Sequence, residues 1–359
     1  DGVGARVVQQ QDQPQPALGE DVPHEVEALL AGRAVQVDLL AAVQPHHAVV
    51  HGHGGGGFQG AGHVRGQGVG GHRWDVADRG DGRGLAGPDG AGKTTLMRSL
   101  CTLLKPTSGS ITINGLDVMD DMLEIRKILG YMPQRFSLYQ DLTVKQNLHF
   151  FADLFQVPPD EIDRRIDRLY QFSRLEPFKN RLSGALSGGM KQKLALSCAL
   201  IHTPEILILD EPTYGVDPLS RQEFWEILKS IHGEGKTIFV STAYMEEAEL
   251  CDRVALMHKG RIIKSGNPDE IKESFPYPLY RVEGRDLPQL MKYLDNTGVV
   301  KNTQLFGNAV HVTFRKHPAE SQWHKWQTDS NSRLTSWKVQ NPSMEDVFMN
   351  LVSEENSVA

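Results

Sequence analysis

The run Gly87-Pro88-Asp89-Gly90-Ala91-Gly92-Lys93-Thr94 fits the pattern G-x-x-x-x-G-K-[ST] at every fixed position, and no other stretch restricts the fold as much. Its glycines let the backbone turn tightly enough for successive N–H groups to surround an anion. The helix that follows adds the positive end of its dipole. Such a loop needs a strand to deliver the chain and a helix to lead it away, and Leu96 and Leu100 share one helical face just beyond it. Within the pattern Lys93 would reach β- and γ-phosphates, and the Thr94 hydroxyl would bind Mg²⁺.

Two further landmarks follow. Ile206-Leu207-Ile208-Leu209 is apolar at every position, as a central parallel strand should be, and it ends in Asp210-Glu211. Asp210 can hold Mg²⁺ through water, and Glu211 can polarise an attacking water as general base. Between the loop and this strand lies Leu186-Ser187-Gly188-Gly189-Met190. Alone, an apolar run before Asp-Glu marks a strand end, and Ser-Gly-Gly is a common helix cap. It is their order that narrows the reading.

From Leu85 to about Pro268 strand-like and helical runs alternate, which predicts an α/β domain with a mostly parallel sheet. Strands are expected at Ser110–Ile113, Ile206–Leu209, Thr237–Ser241 and Arg253–Met257. Helical periodicity dominates residues 135–190, with Leu148, Phe151, Leu154 and Phe155 on one face. A smaller α+β unit is expected over 275–359, with strands at Leu279–Val282, Ala309–Phe314 and Trp337–Val339. Ser343 and Asp346 have the spacing of a capping box for a final helix.

Residues 1–84 differ from the rest. They contain no Lys, Ile, Met, Ser, Thr, Asn, Tyr or Cys, and the first lysine of the chain is Lys93. This Gly-, His- and Gln-rich set lacks the β-branched and aromatic mix of a packed sheet. It predicts a disordered arm or a wrong-frame translation, apart from a helix-compatible stretch at Glu25–Val43. An in-frame coding sequence across the junction near Gly84 would exclude the wrong-frame reading.

The 359 residues carry a formal charge of −7, which argues against nucleic-acid binding through bulk positive charge. Cys101, Cys198 and Cys251 form no CxxC and read as reduced structural thiols. No run approaches the roughly 18 apolar residues needed to span a bilayer, and no signal-peptide pattern opens the chain. Work at a membrane would therefore need a spanning partner.

With these motifs in this order, residues 85–274 resemble the nucleotide-binding domain of ABC transporters, a P-loop core with a helical subdomain at about 135–190. The resemblance implies ATP and Mg²⁺ as cofactors, with Gly87, Pro88, Asp89, Gly90, Ala91, Gly92, Lys93, Thr94 and Thr95 at the phosphates. It makes Gln134 of Gly130-Tyr131-Met132-Pro133-Gln134 the Q-loop glutamine, near Mg²⁺ with Thr94 and Asp210. Asp217 of Tyr214-Gly215-Val216-Asp217 falls in the D-loop. Family sites are shared across a dimer, so Ser187, Gly188, Gly189 and Met190 would complete the ATP site of a second ABC domain. Asp89 and the tail Pro342-Ser343-Met344-Glu345-Asp346-Val347-Phe348 resemble the first half of bacterial tandem drug-export ATPases that pair with ABC-2 type permeases. That implies the cytoplasmic face of the bacterial inner membrane. It also implies that a linker to a second domain could begin near Ala359.

Two departures from the family pattern bear on this P-loop, the first predicting weakened hydrolysis and the second poor ATP affinity. Ala243 follows Ser241-Thr242, where the family carries a switch histidine that bonds the γ-phosphate. The aromatic on which adenine stacks should fall near Val64, where none stands; Phe58 and Trp74 are the candidates in residues 1–84, in no recognisable strand. The lead-in strand is reduced to Leu85-Ala86.

Milder readings remain. Phe136, Leu138, Tyr139 and Leu142 suit either a permease groove or the core. His46, His47, His51 and His53 lack the fixed geometry of a metal site. Trp323, Trp326 and Trp337 read as a small core. Three function classes compete: an exporter's energy-coupling ATPase, a degenerate nucleotide-binding partner, and a soluble ABC protein on DNA or ribosomes. The last is disfavoured by the lack of a long coiled coil and of a basic block.

Overall fold

The computed structural model describes residues 64–67, 73–77, 81–107, 109–135, 138–330 and 333–358. Glu25–Val43, the four histidines from His46 to His53, Phe58 and Phe136 lie outside them.

In chain order, β1 (Val64–Gln67), β2 (Arg73–Ala77) and β3 (Gly82–Ala86) precede helix α1 (Lys93–Leu100). Then come β4 (Thr112–Ile113), β5 (Leu116–Asp117), α2 (Met122–Ile128) and β6 (Leu129–Met132). Helices α3 (Val144–Leu154), α4 (Pro159–Ser173) and α5 (Gly188–Leu200) lead to β7 (Ile206–Asp210), α6 (Pro218–Gly233) and β8 (Thr237–Thr242). The short helix α7 (Met245–Ala248), β9 (Arg253–His258), β10 (Arg261–Gly266) and α8 (Pro268–Glu273) close this part. The rest is β11 (Leu279–Gly284), α9 (Leu287–Asp295), β12 (Val300–Phe306), β13 (Ala309–Phe314), α10 (Glu320–Asp329), β14 (Leu334–Val339) and α11 (Met344–Val358).

The central sheet has the order β10-β9-β3-β8-β7-β6 and is parallel from β9 to β6. Every residue of β7 and β8 is buried, because layers cover both sheet faces. Alternation divides their side chains between two cores. Ile206, Ile208 and Phe239 pack with Leu85, Met97 and Leu100 on one side. Leu207, Leu209, Ile238 and Val240 pack with Leu194, Phe224 and Leu228 on the other. With β3, β7 and β8 adjacent and parallel, their carboxyl ends come out side by side, where ligands bind in open α/β sheets.

Helices α3, α4 and α5 contribute to one core; α3 and α4 lie within residues 135–190 and α5 almost wholly beyond them. Thr143 caps α3 in a capping box with Gln146. Asn147, fully buried, donates to the Tyr139, Leu142 and Thr143 carbonyls and accepts from the Tyr139 N–H. It thereby pins the loop that leaves β6. Leu138 belongs to the core, and the Tyr139 ring packs edge-on against Phe150 at 4.7 Å.

The third sheet, β12-β13-β11-β14, is antiparallel. Its core holds Tyr280, Leu290, Phe314, Trp323 and Trp326, and Trp337 stacks on Trp323 at 5.1 Å. The tryptophans are thus packing residues. Ser343 and Asp346 cap α11 reciprocally, the Asp346 N–H donating to Ser343 Oγ and the Ser343 N–H to Asp346 Oδ2. From α11, Met344, Val347 and Phe348 join Ala248, Val254, Leu256 and Ile271 in one apolar cluster.

Several sequence expectations need correction. The strand entering the phosphate loop is not reduced to Leu85-Ala86: it starts at Gly82 and pairs with β8 and β9. A boundary between residues 84 and 85 would cut this strand. Ladder bonds use backbone groups, which Gly82 and Gly84 supply as well as any residue, so composition concealed the strand. At Gly84 a Cβ would lie 2.9 Å from Cys251 Sγ. Part of the anomalous segment is likewise sheet, since β1 pairs with β2 and β4, and Trp74 lies in β2. Smaller shifts are a strand of only Thr112–Ile113 within Ser110–Ile113, and β14 starting at Leu334 rather than Trp337. All three cysteines are buried and free.

Candidate active site

The chain turns from β3 into α1 through Gly87–Gly92. Gly87 donates its N–H to the Thr242 carbonyl at 3.2 Å, tying the loop to the end of β8. A Cβ at Gly87 would stand 2.3 Å from the Met257 carbonyl oxygen, so no larger residue fits. Gly90 and Gly92 have φ of +78° and +106°, the left-handed region that glycine enters freely. Gly92 caps α1 without a side-chain hydrogen bond, so the first-turn N–H groups stay available to an anion.

Lys93 is buried, and its ammonium donates to the Gly87 and Pro88 carbonyls at 2.7 and 3.1 Å. It also pairs with Glu211 Oε1 at 2.9 Å. Glu211 Oε2 accepts from Gln134 Nε2 at 2.7 Å. Thr94 Oγ1 donates to Asp210 Oδ1 at 3.2 Å. Thus Lys93, Thr94, Gln134, Asp210 and Glu211, far apart in sequence, meet in one place. Pro88, Asp89, Gly90 and Thr95 are exposed beside it, and Ala91 is buried.

Ser241, to which the sequence alone assigns no role, links the Asp210 carboxylate to the Glu211 backbone. Its hydroxyl donates to Asp210 Oδ1 at 2.6 Å and accepts the Glu211 N–H at 2.9 Å. Glu211 has φ of +46°, a conformation that persists only where neighbours hold it. The available signal was a polar Ser241-Thr242 pair ending an otherwise apolar strand.

Asp210 is fully buried, and burial pushes its carboxyl above the usual range, against the Ser241 and Thr94 hydrogen bonds. Its Oδ2 has no hydrogen-bond partner among the described residues. A buried carboxylate oxygen without a partner, next to the Thr94 hydroxyl, is a hard-oxygen set that fits Mg²⁺.

Ser187 caps α5, accepting the Met190 N–H at 3.4 Å. Gly188 is exposed and Gly189 buried; a Cβ on Gly189 would lie 2.5 Å from Ser220. Asp217 caps α6 through the Ser220 N–H at 2.9 Å, and that bond holds its carboxyl below the ordinary range. Among the described residues, Ser187, Gly188, Gly189 and Asp217 make no hydrogen bond to the Lys93–Glu211 cluster. Ala243, half-buried, follows Thr242 directly.

Residues 76–214 match the family model described as ABC transporter, and residues 266–352 match that of the C-terminal domain of DrrA1-3-like ATP-binding proteins. The daunorubicin resistance ATP-binding protein DrrA3 of Streptomyces coeruleorubidus is 34% identical over 284 residues, 78% of this chain and 90% of that protein. The chain belongs to the ABC transporter ATP-binding proteins. The Nod factor export ATP-binding protein I of Ralstonia nicotianae is 35% identical over 280 residues, 77% of this chain and 87% of its own length. A probable multidrug ABC transporter ATP-binding protein of Escherichia coli, YbhF, is 50% identical over 191 residues. That match spans 53% of this chain and only 33% of YbhF. Among solved structures, cbiO1 from Clostridium perfringens, part of the ABC transporter complex cbiONQ, superposes with a TM-score of 0.52. It is 31% identical and covers 57% of this chain and 83% of its own. As an ABC ATP-binding protein this one has, among the described residues, no helix long and apolar enough to cross a membrane.

Proposed function

We propose that this chain is the ATP-binding, energy-coupling subunit of an exporter, hydrolysing ATP to ADP and phosphate in a dimer of ABC domains. The observation that carries this is the meeting of Lys93, Thr94, Gln134, Asp210 and Glu211 beside the glycine loop. Backbone N–H groups of Gly90–Thr94 bind the phosphates, and Lys93 exchanges its pairing with Glu211 for the γ-phosphate. Glu211, released from Lys93 and still within reach of Gln134, accepts a proton from the attacking water. Thr94 and Asp210, with Gln134 nearby, would hold Mg²⁺, which when bound would neutralise charge at the phosphates. The partners are an ABC-2 type permease and a second ABC domain whose site Ser187, Gly188, Gly189 and Met190 complete, with Asp217 at the shared face. Drugs or xenobiotics are the transported class, which the drug-resistance and multidrug names of DrrA3 and YbhF support, and the chain works on the cytoplasmic face of a bacterial inner membrane.

One observation favours a second reading, in which this P-loop binds ATP and hydrolysis belongs to the partner's site. Ala243 stands where the family carries its switch histidine, and a methyl group donates no hydrogen bond. Turnover of the complex reconstituted in proteoliposomes separates the two. Under the first reading Lys93→Ala and Ser187→Arg both lower it; under the second only Ser187→Arg does. Indifference to both substitutions refutes the site assignment.

A further inference from the structure

Besides Asp210 and Glu211, a third buried carboxylate joins the exits of the same two strands. Glu247, on α7, is 2% exposed. Its Oε1 accepts from Thr213 Oγ1 at 2.6 Å, and its Oε2 from Thr242 Oγ1 at 2.6 Å. Thr213 lies two residues beyond Glu211, in the turn leading to Asp217; Thr242 ends β8, next to Ala243. Arg221, on α6, approaches Glu247 Oε1 at 3.6 Å and stacks its guanidinium 3.9 Å above the Tyr244 ring. The Tyr244 N–H in turn donates to Thr242 Oγ1 at 3.0 Å. One carboxylate thus fixes the segment after the candidate general base to the segment that would carry the switch group.

We propose that Glu247 is a positioning residue for hydrolysis, a brace that makes the Glu211–Asp217 turn and the Ser241–Tyr244 segment move as one piece. The proposal rests on the reading that ATP is bound at this site. Three observations carry it. Glu247 touches neither Lys93, Asp210 nor Glu211 by any described hydrogen bond or ion pair, so it acts through others. Its two threonine partners belong to different strand exits, 29 residues apart in sequence. The left-handed backbone of Glu211 must be held from outside, and the brace attaches two residues beyond it. The hydrogen bond to Thr242 adds a side-chain tie to the Glu211–Ser241 contacts that already join the end of β8 to that turn. The brace is also anchored from beyond the core. The flanking Ala248 packs with Met344, Val347 and Phe348 of α11, and the Met344 N–H donates to Glu249 Oε1 at 3.0 Å.

The test uses the full chain and two readouts. In hydrogen exchange without nucleotide, Glu247→Ala should raise exchange in both 211–217 and 241–248 together, whereas Glu247→Gln restores protection, because an amide can still bond both threonine hydroxyls. This readout needs no hydrolysis, so it stands apart from the fate of the proposed function. A rise in only one segment overturns the brace. In turnover by the reconstituted complex, Glu247→Ala should lower kcat by about 10²-fold, the scale of a misplacement of ~1 Å, while KM and fluorescent-ADP affinity stay at the parent's. Glu247→Gln recovers most of that loss. Parallel loss of affinity and kcat, or a kcat unchanged by Glu247→Ala, overturns the positioning role.

Discussion

Replacing Asp210 by Asn should stabilise the ligand-free protein while removing its response to Mg²⁺. The parent carboxylate is fully buried, with two hydrogen bonds on Oδ1 and, among the described residues, none on Oδ2. Asparagine keeps the Oδ1 acceptor for Ser241 and Thr94 and places a neutral, unpartnered amide where Oδ2 was. An unsatisfied neutral group costs about 1–3 kcal/mol, and a charged one more. Repulsion from Glu211 disappears with the charge, against a lost attraction to Lys93. The net is a gain of about 1 kcal/mol, or roughly 2–4 °C in the melting midpoint for a domain of this size. The sign of the pH dependence follows from the raised carboxyl. The folded state holds this proton more tightly than the unfolded one, whose value is near 3.8. Stability from this group therefore falls as pH rises from there through the folded value. The variant lacks that dependence. Differential scanning calorimetry in EDTA at neutral pH, and again with excess Mg²⁺-ATP, reads both effects. The parent should gain about 2.7 kcal/mol at a ligand concentration of 100 times Kd, the variant far less. A variant that melts below the parent in EDTA, or that gains as much from Mg²⁺-ATP, refutes the reasoning.

Ala243→His, in a complex with its permease and second ABC domain, should raise turnover at this site by about 10²–10³, the usual worth of one aimed donor; unchanged turnover counts against the weakened site. Gly189→Ala puts a Cβ 2.5 Å from Ser220 and should block ATP-driven dimer formation, read by light scattering, while leaving nucleotide affinity at this chain's own P-loop intact. Loss of that affinity would place Gly189 in the wrong site. Trp323→Ala should cost about 3–5 kcal/mol in the C-terminal sheet, seen as an earlier melting step; a single unchanged transition would show that the tryptophan cluster does not carry that core.

Lys93, Asp210 and Glu211 were legible because the backbone turn and strand that place them demand glycines and an unbroken apolar run, both visible in one dimension. The pairing of Lys93 and Gln134 with Glu211 was not, since it depends on which strand exits are neighbours. Ser241 and Glu247 escaped for the same reason: a serine after an apolar strand and a glutamate in Met245-Glu246-Glu247-Ala248 look ordinary until β7 and β8 lie side by side. The lead-in strand is hidden from side-chain composition because its ladder is made by backbone groups. At Gly84 an absent side chain, which weakens a strand on propensity grounds, makes room for Cys251.

The three buried thiols open an experimental route. Burial raises all three above the ordinary thiol range, Cys251 to about 12, so almost no reactive thiolate forms in the folded chain. Reporter cysteines at exposed Gln171 and Lys338 can then be alkylated without first stripping the native ones, and the spacing between the helical layer and the C-terminal sheet followed through a nucleotide cycle. The native thiols become clocks of their own. Since the Cys251 sulfur lies against Gly84, the rate at which Cys251 takes up an alkylating reagent measures how often the strand feeding the phosphate loop lifts away from its neighbours.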